Sequence, residues 1–211
     1  MRKLDPSDPS NALQSFDLSD KYFGEGITVF QDKDGNDKII QLTWKERTGF
    51  IYDMDFNVVK EFSYETTTSE GWGITYDERN TEFIVSDGSN ILHFWDRDTL
   101  QETKRIPVHM YGDDSGEKME LEWLNELEVV YLEKNGDAKS FVLANVYGED
   151  VLLQIDPEDG RVTNIHDFRQ LYLRKIQEDV FNGIAVSAEA ADIVFVTGKN
   201  WPQLYKVKLS I

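Results

Sequence analysis

Apolar and polar residues alternate with a period of two along most of this 211-residue chain, the pattern of strands with one buried face. Turn signals interrupt it at short intervals, among them Asp34-Gly35-Asn36, Asn135-Gly136-Asp137 and Glu158-Asp159-Gly160. One stretch reads differently. Over 167–180, Phe168, Leu171, Tyr172 and Ile176 share a helical face, and Asp167 precedes them as a candidate N-cap. A helix is therefore expected there, in a chain otherwise made of strands.

The strand pattern repeats. Glu25-Gly26-Ile27-Thr28 aligns with Trp72-Gly73-Ile74-Thr75 and with Asn182-Gly183-Ile184-Ala185. Asn125-Glu126-Leu127-Glu128 fits the same frame, with Glu126 in place of glycine. A second motif follows the last three of these anchors: Ile84-Val85-Ser86-Asp87-Gly88-Ser89, Val142-Leu143-Ala144-Asn145-Val146-Tyr147 and Phe195-Val196-Thr197-Gly198-Lys199. A further strand is expected after each, over 91–95, 151–155 and 204–209. The first unit has the same outline, with strands expected over 39–44 and 50–54.

Several strands per unit, at roughly 40–55 residues a unit, is the pattern of a β-propeller blade. A β-sandwich gives no reason for the periodicity. The innermost strand of each blade lines a central channel, so Glu25, Trp72, Asn125 and Asn182 should converge at one height. The segment 4–16 reads as the last strand and turn of an earlier blade. The expectation is an all-β, five-bladed propeller lacking most of its first blade, divided as 1–24, 25–70, 71–123, 124–180 and 181–211.

Charge narrows the partners. Forty acidic residues against 22 basic ones give a net charge of −18. Without a basic stripe, neither nucleic acid nor an anionic membrane is an expected partner. Such a surface favours cationic ligands, a free peptide N-terminus among them, although solubility alone would also account for it. There is no cysteine, which removes disulfides, thiolate metal sites and a cysteine nucleophile. His93, His109 and His166 lack metal-ligand spacing and read as strand or surface residues. No apolar run is long enough for a spanning helix, and Met1-Arg2-Lys3-Leu4-Asp5-Pro6 is too polar for a signal peptide.

Glu25 lies between two glycines and after Tyr22-Phe23. Aromatic surroundings would desolvate its carboxylate and suit it to acid/base work; a solvated turn glutamate fits the spacing equally well. Trp72, between Gly71 and Gly73, is either a wall facing a ligand or a channel plug. Asn125 and Asn182 each offer a carbonyl and an amide, for a ligand or for the backbone at a strand start. Lys199, beside Gly198 and close to Trp201-Pro202, could set a cation near an oxyanion; a surface lysine is the plainer alternative.

Phe23-Gly24-Glu25-Gly26, Gly71-Trp72-Gly73, Ser86-Asp87-Gly88-Ser89, Leu124-Asn125-Glu126-Leu127-Glu128, Asn182-Gly183-Ile184-Ala185 and Thr197-Gly198-Lys199 with Trp201-Pro202 occur in this order over about residues 20–209. Together they resemble the plant and bacterial glutaminyl-peptide cyclotransferases. The resemblance implies a five-bladed propeller that converts an N-terminal glutamine to pyroglutamate and releases ammonia, with no metal or organic cofactor. It implies Glu25 as proton shuttle, Asn125 as positioner of the substrate amine or carbonyl, and Lys199 as oxyanion stabiliser. Trp72, Tyr147, Phe23 and Asn182 would contact substrate, and Glu126 and Glu128 would support the site. The family usually has tryptophan at the place of Tyr147. Its first blade carries a Phe-Thr-Gln-Gly-Leu-type segment, and this sequence has none. The implied partners are peptides or proteins with N-terminal glutamine, and a monomer is expected. Localisation is left open, since members of the family are commonly exported.

Two other functions fit parts of the pattern. One is a catalytically silent propeller that binds peptides or protein partners. The other is a calcium-dependent, lactonase-like propeller using Glu25, Asn125, Asn182 and Asp87 as oxygen ligands, against which the nearby Lys199 counts.

Overall fold

The computed structural model describes the chain except residues 6, 113–115, 135, 136 and 173–178. Every regular element among the described residues is a strand. β1 (Arg2–Asp5) and β2 (Asp8–Ser15) form an antiparallel hairpin. Four sheets then follow in chain order. The first pairs β3 (Gly24–Gln31), β4 (Asp37–Thr43), β5 (Thr48–Tyr52) and β6 (Val58–Ser63) as a meander. The second pairs β7 (Ile74–Asp77), β8 (Glu82–Val85), β9 (Ile91–Asp96) and β10 (Glu102–Pro107) in the same way. A small hairpin, β11 (His109–Tyr111) with β12 (Lys118–Glu120), precedes the third sheet. That sheet comprises β13 (Leu124–Lys134), β14 (Asp137–Val146), β15 (Val151–Ile155) and β16 (Val162–Asp167). The fourth has three strands, β17 (Phe181–Ser187), β18 (Ala190–Gly198) and β19 (Tyr205–Lys208).

This is a propeller-like arrangement of four blades whose cores lie between neighbouring sheets. Ile40, Leu42 and Phe62 of the first blade pack on Phe83, Val85 and Trp95 of the second. Ile84 and Phe94 pack on Leu127, Val142 and Leu153, and Val130, Leu143 and Leu152 pack on Phe181, Val194 and Val196. The middle strands are therefore apolar on both faces. The alternation survives on inner strands such as β3 and on outer ones such as β6, where Phe62 is buried between exposed neighbours. Aspartates close the corners: Asp32 and Asp53 each accept the backbone N–H groups two and four residues on, at 2.9 Å.

The outer face of the first blade meets the N-terminal segment instead. Phe50, Tyr52 and Phe56 pack against Met1, Phe16 and Tyr22. The segment 4–16, expected from its sequence as a strand and turn, instead spans the end of β1 and the whole of β2. Residues 2–5 pair antiparallel with 8–15, and the Met1 carbonyl accepts the Phe16 N–H at 2.9 Å. Between β3 and β17 an apolar cleft stays open, lined by Ile27, Val29 and Ile184 and continued by Leu4, Phe195 and Leu204. Val29 is 53% exposed there.

The helix expected over 167–180 falls partly on 173–178, outside the described residues. Its described beginning is not helical. Asp167 ends β16, and a turn follows in which the Leu171 N–H donates to the Phe168 carbonyl at 2.8 Å. The apolar spacing that resembled a helix face serves packing instead, with Phe168 stacked on Phe181 at 5.2 Å.

Candidate active site

Three of the four anchors sit where their strands bulge, and Trp72 lies just before β7. Pairing of β3 with β4 skips between Gly24 and Ile27, and β13 and β17 skip at the same repeat position, between Leu124 and Leu127 and between Phe181 and Ile184. A bulge re-aims the side chain it carries. Small residues after the anchors let the bulged backbones touch. The Gly26 N–H donates to the Trp72 carbonyl at 2.7 Å, and a Cβ on Gly73 would come within 2.1 Å of the Asn125 carbonyl oxygen. The Ser86 hydroxyl, 2.6 Å from that same oxygen, fixes the junction.

Above these bulges lies a cavity of about 410 Å³. Glu25, Trp72 and Asn125 form its inner tier. Trp44, Tyr147 and Lys199 form a second tier, each just past the strand that pairs with the inner one. Their backbone N–H groups donate to the carbonyls of Phe23, Trp123 and Val180 at 2.8–2.9 Å. Phe23 and Trp123, both exposed, make the rim, and Glu70 completes the lining. Trp72 meets Tyr147 edge-on at 5.6 Å, and Lys199 Nζ lies 5.9 Å from the Tyr147 ring. Of the seven sequence candidates, Phe23, Glu25, Trp72, Asn125, Tyr147 and Lys199 line the cavity. Asn182 is not in that lining; it is buried at the start of β17, where the next residue, Gly183, donates its N–H to Asn145 Oδ1 at 3.1 Å.

The electrostatics single out the carboxylates. Burial raises the proton affinity of Glu25; the Lys199 cation opposes this and the Glu70 charge adds to it. Glu126 is pushed up to about 8, first by burial and then by the charge of Glu25, with Lys199 opposing and Glu128 adding. Glu128 is also raised by burial, moderated by the Val186 N–H at 2.9 Å and the Thr75 hydroxyl at 3.4 Å. Asn125 contributes a buried Oδ1 with no hydrogen-bond donor among the described residues. An acceptor left unpaired beside a cavity is costly unless a ligand supplies the donor.

Asp87 does not join this group. Its Oδ2 accepts the Thr68 N–H at 2.8 Å and approaches His93 Nε2 at 3.3 Å, and its Oδ1 accepts the Ser89 hydroxyl at 2.5 Å. Both oxygens thus pin a loop between blades, which removes Asp87 from the calcium ligand set considered above. His93, also 3.0 Å from Glu102, is a buried strand residue.

Three lining residues escaped the sequence reading: Trp44, Trp123 and Glu70. The repeat held the signal for the first two. Trp44 occupies in the first blade the place of Tyr147 and Lys199 in the third and fourth, and Trp123 precedes Asn125 as Phe23 precedes Glu25. Glu70 stands at the same offset before Trp72 and shows its role only once the indoles are placed.

The family model for glutamine cyclotransferase matches residues 1–209. A glutaminyl-peptide cyclotransferase of Arabidopsis thaliana is 32% identical over 198 residues, 91% of this chain. The chain spans 54% of that relative's length. The crystal structure of Myxococcus xanthus glutaminyl cyclase superposes with a TM-score of 0.75 at 28% identity, covering 98% of this chain and 80% of that one. A protein of unknown function from Bacteroides caccae, 10% identical with a TM-score of 0.52 and covering 98% and 70% of the two chains, shares the fold. This chain belongs to the glutamine cyclotransferase family.

Proposed function

We propose that the cavity cyclises N-terminal glutamine of peptides or proteins to pyroglutamate with release of ammonia. The observation that carries the reading is Glu25, a desolvated carboxyl of raised proton affinity at the base of an aromatic cavity, with Lys199 opposite in charge beside it. The α-amine nitrogen attacks the side-chain amide carbon, a ring C–N bond forms, and the amide C–NH₂ bond breaks. The amine gives up a proton and the departing nitrogen gains one. A single carboxyl between them serves both transfers, at a typical gain of about 10²–10⁴ in rate. Asn125 Oδ1 accepts an N–H of the substrate amine, and the Lys199 ammonium stabilises the oxyanion of the tetrahedral intermediate. Trp44, Trp72 and Tyr147 hold the glutamine side chain folded on its own amine. Orientation of this kind is worth roughly 7–11 kcal/mol in an intramolecular reaction. The steps need no metal.

The open cleft between β3 and β17 supports a ring of five blades, with a further blade covering Ile27, Val29 and Ile184. Incubation of the chain with glutamine-initiated peptides tests the activity: ammonia and the pyroglutamyl peptide should appear in equal amounts, faster than in buffer. Saturable peptide binding without ammonia would replace the enzyme with a silent peptide-binding propeller.

A further inference from the structure

We infer that Glu70 is a positioning residue of this pocket, whose single carboxylate oxygen Oε2 clamps the indoles of Trp44 and Trp72 into the aromatic wall that receives the substrate. Trp44 Nε1–H donates to Oε2 at 2.7 Å and Trp72 Nε1–H donates to the same atom at 2.9 Å. An indole has one polar hydrogen, so one oxygen uses the whole hydrogen-bonding capacity of both rings. The two rings belong to different blades: Trp44 follows β4 and Trp72 precedes β7. Glu70, in the linker between β6 and β7, therefore joins two sheets at the point where they wall the cavity.

The clamp is itself held. Glu70 Oε1 lies 3.6 Å from Lys45 Nζ, and that ammonium sits 3.8 Å from the centre of the Trp44 ring. The Glu70 carbonyl accepts the Thr66 hydroxyl at 2.6 Å, and the Gly71 N–H donates to the Trp44 carbonyl at 2.9 Å. Behind Trp72, Gly88 leaves room for the indole alone, since a Cβ there would come within 2.7 Å of the ring. Trp72 is thus fixed from behind by a glycine and at its edge by a carboxylate. The charge of Glu70 also favours the protonated form of Glu25, so the same group acts on both the wall and the acid/base.

This inference rests on the proposed cyclisation only for its kinetic consequences. Its first test needs no activity. In the ¹⁵N-labelled full chain, the five tryptophan Nε1–H resonances are recorded for wild type, Glu70→Gln and Glu70→Ala, with Trp44 and Trp72 assigned from their phenylalanine variants. Both Glu70 variants should move the Trp44 and Trp72 signals and leave those of Trp95 and Trp201 in place, whereas Trp123, 6.2 Å from the Trp72 ring, can follow Trp72. Trp44 and Trp72 signals unmoved in folded Glu70→Gln overturn the clamp, whether or not the chain turns over substrate. Kinetics form the second arm. Glu70→Ala should raise KM for glutamine peptides about tenfold or more, on the scale of losing hydrogen bonds to a charged acceptor. Glu70→Gln keeps an acceptor and removes the charge, so KM should stay within a few-fold and the acid limb of the pH profile should move to lower pH. An unchanged KM in Glu70→Ala overturns the positioning role, and an unmoved acid limb in Glu70→Gln overturns the charge effect on Glu25.

Discussion

Glu126 offers a thermodynamic test of the site's electrostatics that does not depend on turnover. Protein surrounds this carboxyl, although the residue keeps some solvent exposure. Its proton affinity rises from the ordinary 4.5 to about 8. The folded state therefore keeps a proton that the unfolded chain releases. The corresponding stability is full below about 4.5, declines as pH rises, and is gone above about 8. At about 1.4 kcal/mol per pH unit the whole span is on the order of 5 kcal/mol. That partial exposure reduces the expectation to about 2–3 kcal/mol. Glu126→Gln has nearly the shape of the protonated acid and does not titrate. Urea unfolding followed by tryptophan fluorescence should find the variant equal to wild type near pH 4.5 and about 2–3 kcal/mol more stable near pH 8.5. A constant difference between the two proteins across this range would refute the reasoning, because it would mean that Glu126 titrates alike in the folded and unfolded chains.

Two further expectations probe the site and its scaffold. Lys199→Ala should lower kcat by about 10²–10³, the usual cost of one oxyanion donor. Because the lysine cation holds down the proton affinity of Glu25, the acid limb of the pH profile should also move to higher pH in that variant. Gly73→Ala places a methyl group 2.1 Å from the Asn125 carbonyl oxygen, where backbone rather than a flexible side chain has to yield. It should cost about 2–4 kcal/mol, read as a lower urea midpoint.

The strands were legible because period-2 alternation is a local property. The run expected over 151–155 is β15 to the residue. The anchor repeat was legible too, because residues at one repeat position share a height in any propeller. What local patterns cannot show is which neighbour covers a face. Phe168 and Leu171 sit at helical spacing, yet they serve a turn packed on the fourth blade. The segment 4–16 read as a strand and turn, and only the pairing of Arg2–Asp5 with Asp8–Ser15 shows it to be part of a hairpin. The site divided along the same line. Glu25, Trp72 and Asn125 were visible as members of the repeat. Asn182, equally a member, is absent from the cavity lining. Glu70 carries no signal of its own in Ser69-Glu70-Gly71, since its role depends on two indoles meeting from separate sheets.

The central claim is that Glu25 moves the proton during cyclisation. The direct measurement is ammonia release from a glutamine-initiated peptide by wild type and Glu25→Gln at saturating peptide, with far-UV circular dichroism and the unfolding midpoint recorded for both. The account predicts an unchanged fold, little change in peptide binding, and a rate at least about 10²-fold lower in the variant. A folded Glu25→Gln that releases ammonia at a rate close to wild type would contradict it.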